Sequence, residues 1–391
     1  MREVNKNSRS LAKTIALKGA LIFLIIMPIV SFFIISPYFY LHDSPEKKPW
    51  VSWFNDPHER VYISWETEEE TKGVLKYGTD KDDWDVEITE NKSSKIHHLS
   101  LTGLDPDTKY YYSVEVEGEE YGAGMFRTAP SGFKEFTWVM ISDTQQNLGP
   151  GHHYRVARVL EQKAEDYSFI ANVGDIVEQG ADKRYYDNFF QIASHYFDKL
   201  PFVPVIGNHD DRSVDQFTEY FINQVNTSQD HFYYSFNWSN VHVCIPHFAH
   251  GSESEMTDVQ LNWLENDLAR AQDKTFIVVM FHCPVIGASF FGENEVLMKN
   301  VKPILEDYGV DAIIHGHEHH YERGHLGDIM YMILGGGGGA FDVGLRPLPE
   351  TEILTASPCY TEVEAKKDTL TFSTFTLEGS LIDEYTIEAE D

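Results

Sequence analysis

Five apolar, β-rich runs in the chain each lead straight into a cluster of Asp, Asn or His, and this repetition constrains the fold more than any other feature. Residues 136–142 lead into Asp143-Thr-Gln145, and 169–173 into Gly174-Asp175-Ile-Val-Glu178. Residues 202–206 lead into Gly207-Asn208-His209-Asp210, 275–281 into His282, and 312–314 into His315-Gly316-His317-Glu318-His319. Short continuous apolar runs are the mark of strands covered on both faces. Amphipathic segments lie between them, most clearly 258–271, where Leu261, Trp263, Leu264 and Leu268 give an apolar face. Buried strands alternating with helices predict an α/β fold, a layered β-sheet core flanked by helices. Ligands of open α/β sheets bind outside the carboxyl ends of the strands, so five such clusters can converge on one spot. Carboxylate, amide and imidazole together suit a pair of divalent cations, manganese, iron or zinc.

The chain before this region reads differently. From 50 to 130 the pattern is all-β, as in Val61-Tyr-Ile-Ser-Trp65 and Tyr110-Tyr-Tyr-Ser-Val-Glu-Val116. Leu101-x-Gly103-Leu104-x-Pro106-x-Thr108-x-Tyr110 resembles the tyrosine corner of fibronectin type III sandwiches. One sandwich is expected here, with the role of a spacer or lid scaffold, followed by the site-bearing domain at 131–391. The tail beyond Cys359 returns to alternation and reads as closing strands of that second domain. Ahead of the sandwich, Arg2, Lys6, Arg9, Lys13 and Lys18 precede an uncharged apolar stretch at 19–41. That length spans a bilayer, and the basic flank predicts a cytoplasmic tail at 1–18 with the folded part outside the cell. A cleavable signal peptide is the rival, with a secreted product. Residues 42–49 read as a polar linker. Sequons at Asn91, Asn226 and Asn237 fit export.

The 391 residues carry a formal net charge of -31, which repels polyanions and excludes nucleic acid as a bulk partner. Three widely spaced cysteines, Cys244, Cys283 and Cys359, build neither a disulfide framework nor a zinc knuckle. They read as small buried apolar residues.

Taken in order, Asp-x-Gln, Gly-Asp, Gly-Asn-His-Asp, Val-x-x-His and Gly-His-x-His resemble the calcineurin-like metallophosphoesterases. Val279-x-x-His282-x-Pro284, Gln260-x-x-Trp263-Leu264 and Gly316-His-Glu-His-His-Tyr-Glu-Arg323 resemble the purple acid phosphatase branch, as does the preceding sandwich. The resemblance runs from Trp50 to the C-terminus. It implies two divalent metals bridged by Asp175, with Asp143 and His319 on the first and Asn208, His282 and His317 on the second. Gln145 stands where many relatives carry a histidine ligand, so the first metal is expected to be loosely held. A metal-activated hydroxide would attack phosphorus in line. His209 would not bind metal, but would stabilise the transition state or protonate the leaving group. The family's metal-binding tyrosine, three residues after the bridging aspartate, is replaced by Glu178. No purple colour is therefore expected, and Glu178 is expected to pair with His209.

The function implied is hydrolysis of a small phosphoester, a phosphomonoester or small phosphodiester, on the outer membrane face. The alternative, supported by Gln145 and Glu178 alone, is a membrane-anchored surface binding or scaffold protein that keeps the fold with weak catalysis. Around the motifs, Glu318 and His320 are expected to point away from the metals. Glu322 and Arg323 are expected to pair with each other, Tyr321 to pack, and His152 and His153 to open a solvated helix. His247 and His250 follow Val241–Ile245 and could line the pocket mouth. The glycine run 335–339 reads as a flexible bend, because no Lys-Ser/Thr follows to make a nucleotide loop.

Overall fold

The computed structural model describes residues 46–145, 151–221, 232–290 and 292–389. The expected basic tail, the membrane span at 19–41 and the sequon at Asn226 lie outside the described residues. Among the described residues, no helix is long and apolar enough to cross a membrane.

Seven strands form the N-terminal part: β1 (Lys47–Ser52), β2 (Arg60–Thr71), β3 (Gly73–Gly78), β4 (Val86–Thr89), β5 (Ser94–Thr102), β6 (Lys109–Val116) and β7 (Glu119–Arg127). One sheet has the order β4-β3-β6-β7, and β1, β2 and β5 lie side by side in another. The period-2 pattern read in β6 buries Tyr110, Tyr112 and Val114. The tyrosine corner is present: the Asp105 amide donates to the Tyr110 hydroxyl oxygen at 3.0 Å.

After β8 (Phe136–Ile141), helices and strands alternate. They run α1 (His152–Lys163), β9 (Ile170–Val173), α2 (Lys183–Ala193), β10 (Phe202–Val205), α3 (Val214–Tyr220), β11 (Tyr234–Trp238), β12 (Val241–Ile245), α4 (Asp258–Arg270) and β13 (Phe276–Met280). Next come α5 (Glu295–Asn300), α6 (Lys302–Asp307), β14 (Ala312–His315), β15 (Tyr321–Leu326), β16 (Ile329–Leu334) and β17 (Thr351–Thr355). The closing strands are β18 (Cys359–Ala365), β19 (Thr369–Thr376) and β20 (Leu381–Glu388). Helix α4 starts where Thr257 caps it, its hydroxyl accepting from the Gln260 amide at 3.3 Å.

Two large sheets result. The first has the order β20-β19-β18-β8-β9-β10-β1-β2-β5, and the second β11-β12-β13-β14-β16-β15-β17. Strands β8, β9 and β10 are mutually parallel, as are β12, β13, β14 and β16. Side chains alternate along β13: Phe276, Val278 and Met280 enter the large core, while Ile277, Val279 and Phe281 enter a second core with Leu264 and Leu268 of α4. Between the sheets the large core is aromatic, with Trp53 5.8 Å from Phe236, 5.3 Å from Trp238 and 5.7 Å from Phe169 between ring centres.

The N-terminal sandwich is more than a spacer. Its strand β1 pairs in parallel with β10 at Ser52↔Phe202, so one of its sheets is continuous with the first large sheet. Residues 47–49 belong to this strand, not to a linker. Lys47 is buried there and forms ion pairs with Glu66 and Asp187. Its charge is held only because both carboxylates face it in a poorly solvated place.

Candidate metal centre

The loops leaving the carboxyl ends of β8, β9 and β10 carry Asp143 and Gln145, Asp175, and Asn208 with His209. Those leaving β13 and β14 carry His282, and His317 with His319. Asp143, Asp175 and His317 turn with φ of 56°, 50° and 70°. Side chains rarely adopt this left-handed region, and each instance costs about 1–3 kcal/mol. Bracing between the loops offsets that cost. Asp143 N donates to the Gly174 carbonyl at 3.0 Å, Gln145 N to that of Asp175 at 2.9 Å, and Gly316 N to that of His282 at 3.1 Å. His317 N donates to both oxygens of Asp143, at 3.0 and 3.1 Å. Gly174 has φ of 91°, and a Cβ there would lie 2.3 Å from the His282 ring.

Side chains gather in two sets that meet at Asp175. On one side, His282 Nε2 lies 3.2 Å from Asp175 Oδ1 and 3.2 Å from Asn208 Oδ1, which lies 2.8 Å from His317 Nδ1. On the other, Gln145 Nε2 lies 3.0 Å from Asp175 Oδ2 and 2.9 Å from His319 Nε2, and His319 Nε2 lies 3.5 Å from Asp143 Oδ1. Asp143 and Asp175, both buried, form one metal-competent group with the half-buried His319. Two imidazoles are pre-oriented. His282 Nδ1 lies 2.9 Å from the Val173 carbonyl and His319 Nδ1 2.7 Å from that of Ala340, so each proton sits on Nδ1 and each Nε2 faces the site.

The electrostatics have the same sense. Burial pulls the His282 imidazole down, but the Asp175 carboxylate outweighs it and holds the group up at about 9. His319 is likewise raised to about 9 against its burial, by Asp143. Burial opposes ionisation of Asp175, yet His282 holds its carboxyl down at about 2. The carboxylates thus draw positive charge to this centre.

A cation pair fits these residues. The oxygen and imidazole donor atoms of neighbouring residues stand 2.8–3.5 Å apart, the spacing of neighbouring ligands about an ion at about 2.0–2.2 Å. Gln145 Oε1 is buried and meets no donor among the described residues. A cation beside it would satisfy it once the amide turned over, a choice that heavy-atom positions leave open.

His209 stands beside both sets and belongs to neither. Its amide donates to Asp175 Oδ1 at 2.8 Å, and its Nδ1 lies 2.8 Å from the Glu178 carbonyl oxygen and 3.6 Å from the Glu178 carboxylate. Nε2 is left facing the centre, 3.9 Å from Asp175 Oδ2. Glu178 therefore turns to His209, and its backbone makes the shorter contact.

Several supporting residues give no sign in the sequence. The Asp210 carboxylate accepts from the amides of Gly207, Ile176 and Val177 at 2.9–3.1 Å, pinning the Asp175 and Asn208 loops together. Ser142 Oγ donates to Asp143 Oδ2 at 2.7 Å, and the His319 amide donates to Asp342 at 2.9 Å. The glycine run is a close-packed backing, not a flexible bend. Gly337 N and Gly339 N donate to the carbonyls of Ser142 and Asp143, both at 3.0 Å. A Cβ on Gly339 would lie 2.3 Å from the His319 ring.

Of the other expectations, some change and some hold. Glu322 and Arg323 do not pair, because adjacent residues of β15 face opposite sides of the sheet. Glu322 accepts from His320, Tyr331, Thr351 and the Ala288 amide, while Arg323 pairs with Asp383 and Glu352. Glu318 turns away to the Ser289 amide at 3.0 Å, and buried Tyr321 donates to Asp383 at 2.8 Å. His153 is no solvated helix start: it is buried and stacks on Phe189 at 5.3 Å. His250 is half exposed with Nε2 3.0 Å from Asp211, whereas His247 is buried and accepts from the Phe232 amide. The three cysteines are free and buried.

Known proteins resemble this chain in sequence and fold. Residues 136–321 match the calcineurin-like phosphoesterase family, and residues 48–130 match the purple acid phosphatase N-terminal domain. Purple acid phosphatase 22 of Arabidopsis thaliana is 25% identical over 275 residues, which cover 64% of this chain and 61% of that protein. Phosphoenolpyruvate phosphatase of Allium cepa is 24% identical, over 62% of this chain and 54% of that protein. The chain thus spans less than two thirds of the length of these relatives. Among solved structures, purple acid phosphatase PPD1 from yellow lupin seeds superposes with a TM-score of 0.75 at 15% identity, covering 87% of this chain and 74% of that one.

Proposed function

From a chain that joins a purple acid phosphatase N-terminal domain to a calcineurin-like phosphoesterase domain, we propose a metal-dependent phosphoester hydrolase acting on a phosphomonoester or a small phosphodiester. The observation that carries this reading is the meeting of two donor sets on the two oxygens of one carboxylate, Asp175. Asp143, His319 and Gln145 would hold one divalent cation, and Asn208, His282 and His317 the other, with Asp175 between them. Bound there, such ions supply Lewis acidity and lower the pKa of water.

The chain's own residues do the rest. His282 and His319 enter with their protons fixed on Nδ1, so their lone pairs need no reorientation. His209 presents Nε2 to the centre while Nδ1 is tied to Glu178. That geometry suits a group that steadies charge on the phosphoryl oxygens or hands a proton to the leaving oxygen. The long apolar stretch at 19–41 behind a basic flank supports a membrane-anchored enzyme with its folded part outside the cell. Protease treatment of intact cells tests this: a chain that survives until lysis excludes it.

The activity is tested by following release from an aryl phosphate and an aryl phosphodiester, with manganese, zinc, iron or chelator. Metal-dependent release from either ester is expected, and the ratio of the two rates assigns the substrate class. A folded chain silent with every metal would instead be a binding or scaffold protein.

A further inference from the structure

A second group of metal-competent side chains lies away from the five ligand loops. On the β11–β12 hairpin, Ser235 pairs with Cys244 and Asn237 with His242. Alternation puts these four on one face, opposite Tyr234, Phe236, Trp238, Val241, Val243 and Ile245, which enter the large core. Across from them stands Asp267 of α4. His242, Cys244 and Asp267 are all buried, and one ligand atom of each lies within 4.8 Å of the other two. Ser235 Oγ donates to Asp267 Oδ1 at 2.6 Å. An open cleft of about 540 Å³, lined in part by Asn237, His242, Trp263 and Asp267, reaches the group from solvent.

The contacts of His242 suit a cation. Its Nδ1 lies 2.9 Å from Asn237 Oδ1 and its Nε2 2.9 Å from Asp267 Oδ2, so both ring nitrogens face oxygen atoms. A neutral imidazole carries one N–H. With that proton donated to Asn237, Nε2 meets Asp267 Oδ2 through either a second proton or a metal ion, while Arg270 Nη2 stands 3.3 Å from the other oxygen, Asp267 Oδ1. A thiol two residues along the same strand face completes the donor set.

We propose that His242 Nε2, Cys244 Sγ and Asp267 Oδ2 form a structural site for a zinc-like divalent ion, clamping α4 to the β11–β12 hairpin. Imidazole, thiolate and carboxylate together are a zinc, cobalt(II) or cadmium set, and a water from the cleft or the Ser235 hydroxyl supplies a fourth position. The Asn237 contact fixes the His242 proton on Nδ1, as an outer partner does for a ligating histidine. Burial and the Asp267 charge keep the Cys244 thiol protonated without a cation. Uptake therefore forms the metal–sulfur bond and releases the thiol proton to solvent.

Sulfur makes the site separable from the phosphoesterase centre, whose proposed ligands are nitrogen and oxygen. The full chain carrying Cys283→Ser and Cys359→Ser retains Cys244 as its one thiol. Stripped with chelator and titrated with cobalt(II), it should develop a saturable thiolate-to-cobalt charge-transfer band. The band should persist when Asp175→Asn is added, and His242→Gln should weaken cobalt binding at least about tenfold. No thiolate band at saturating cobalt in the folded variant overturns the site and leaves a hydrogen-bonded strut. A band unmoved by both His242→Gln and Asp267→Asn also overturns it.

Discussion

At the scale of single residues, the account turns on where protons and lone pairs sit. His209→Ala should lower kcat about 10²–10⁴-fold while the bound metal stays unchanged, because His209 belongs to neither donor set. Glu178→Gln should cost far less, since the backbone carbonyl makes the shorter contact to His209. Metal analysis and turnover on the same preparations check both. Acid sensitivity resides elsewhere. Burial holds His153 down at about 3, against about 6.5 in the unfolded chain. The unfolded state therefore binds this proton first, and stability present above pH 6.5 is lost as pH falls toward 3. By pH 5 the loss from His153 alone is about 2 kcal/mol. His153→Phe, stacked on Phe189 in its place, should narrow the stability gap between pH 7 and pH 5 by that amount, measured by denaturant unfolding. An unchanged gap contradicts the assignment.

At the scale of elements, strands deliver the site residues and loops set their angles. Gly174→Ala meets both a φ of 91° and the His282 ring. It should destabilise the fold by about 1–3 kcal/mol and weaken metal binding on the His282 side, read by calorimetry. The strands themselves were legible: β8, β9, β10, β13 and β14 agree with their apolar runs to within one residue at either end. The convergence of their polar ends was legible too, because parallel strands deliver the residues at their carboxyl ends to one side of the sheet. What brackets the ligands was not. Asp210 reads as the last letter of Gly-Asn-His-Asp, and nothing local shows that its carboxylate collects amides from two different loops. The glycine run looked flexible because glycine count says nothing about what lies against it. Glu322 and Arg323 looked like a pair by charge, and strand geometry sends them apart.

At the scale of the whole molecule, the N-terminal sandwich and the site-bearing domain share a sheet and a core. Periodicity is a local signal, so it could not show the pairing of β1 with β10, about 150 residues apart. Trp53, from the N-terminal part, sits among Phe169, Phe236 and Trp238. Trp53→Ala should cost about 3–5 kcal/mol, a large share of the 5–15 kcal/mol that holds a typical domain. A chain starting at residue 131 should consequently fail to fold, whereas an independent spacer could be removed without loss. Soluble, cooperatively unfolding protein from residues 131–391 contradicts the shared core.

The central claim is that Asp175 bridges two cations that together make a phosphoesterase. The direct measurement is turnover of an aryl phosphate by the chelator-stripped chain as manganese is returned, with bound metal counted at each step. The account predicts that activity tracks the second equivalent bound and is absent from a folded Asp175→Asn chain. Full turnover with a single equivalent, or turnover that survives Asp175→Asn, would contradict it.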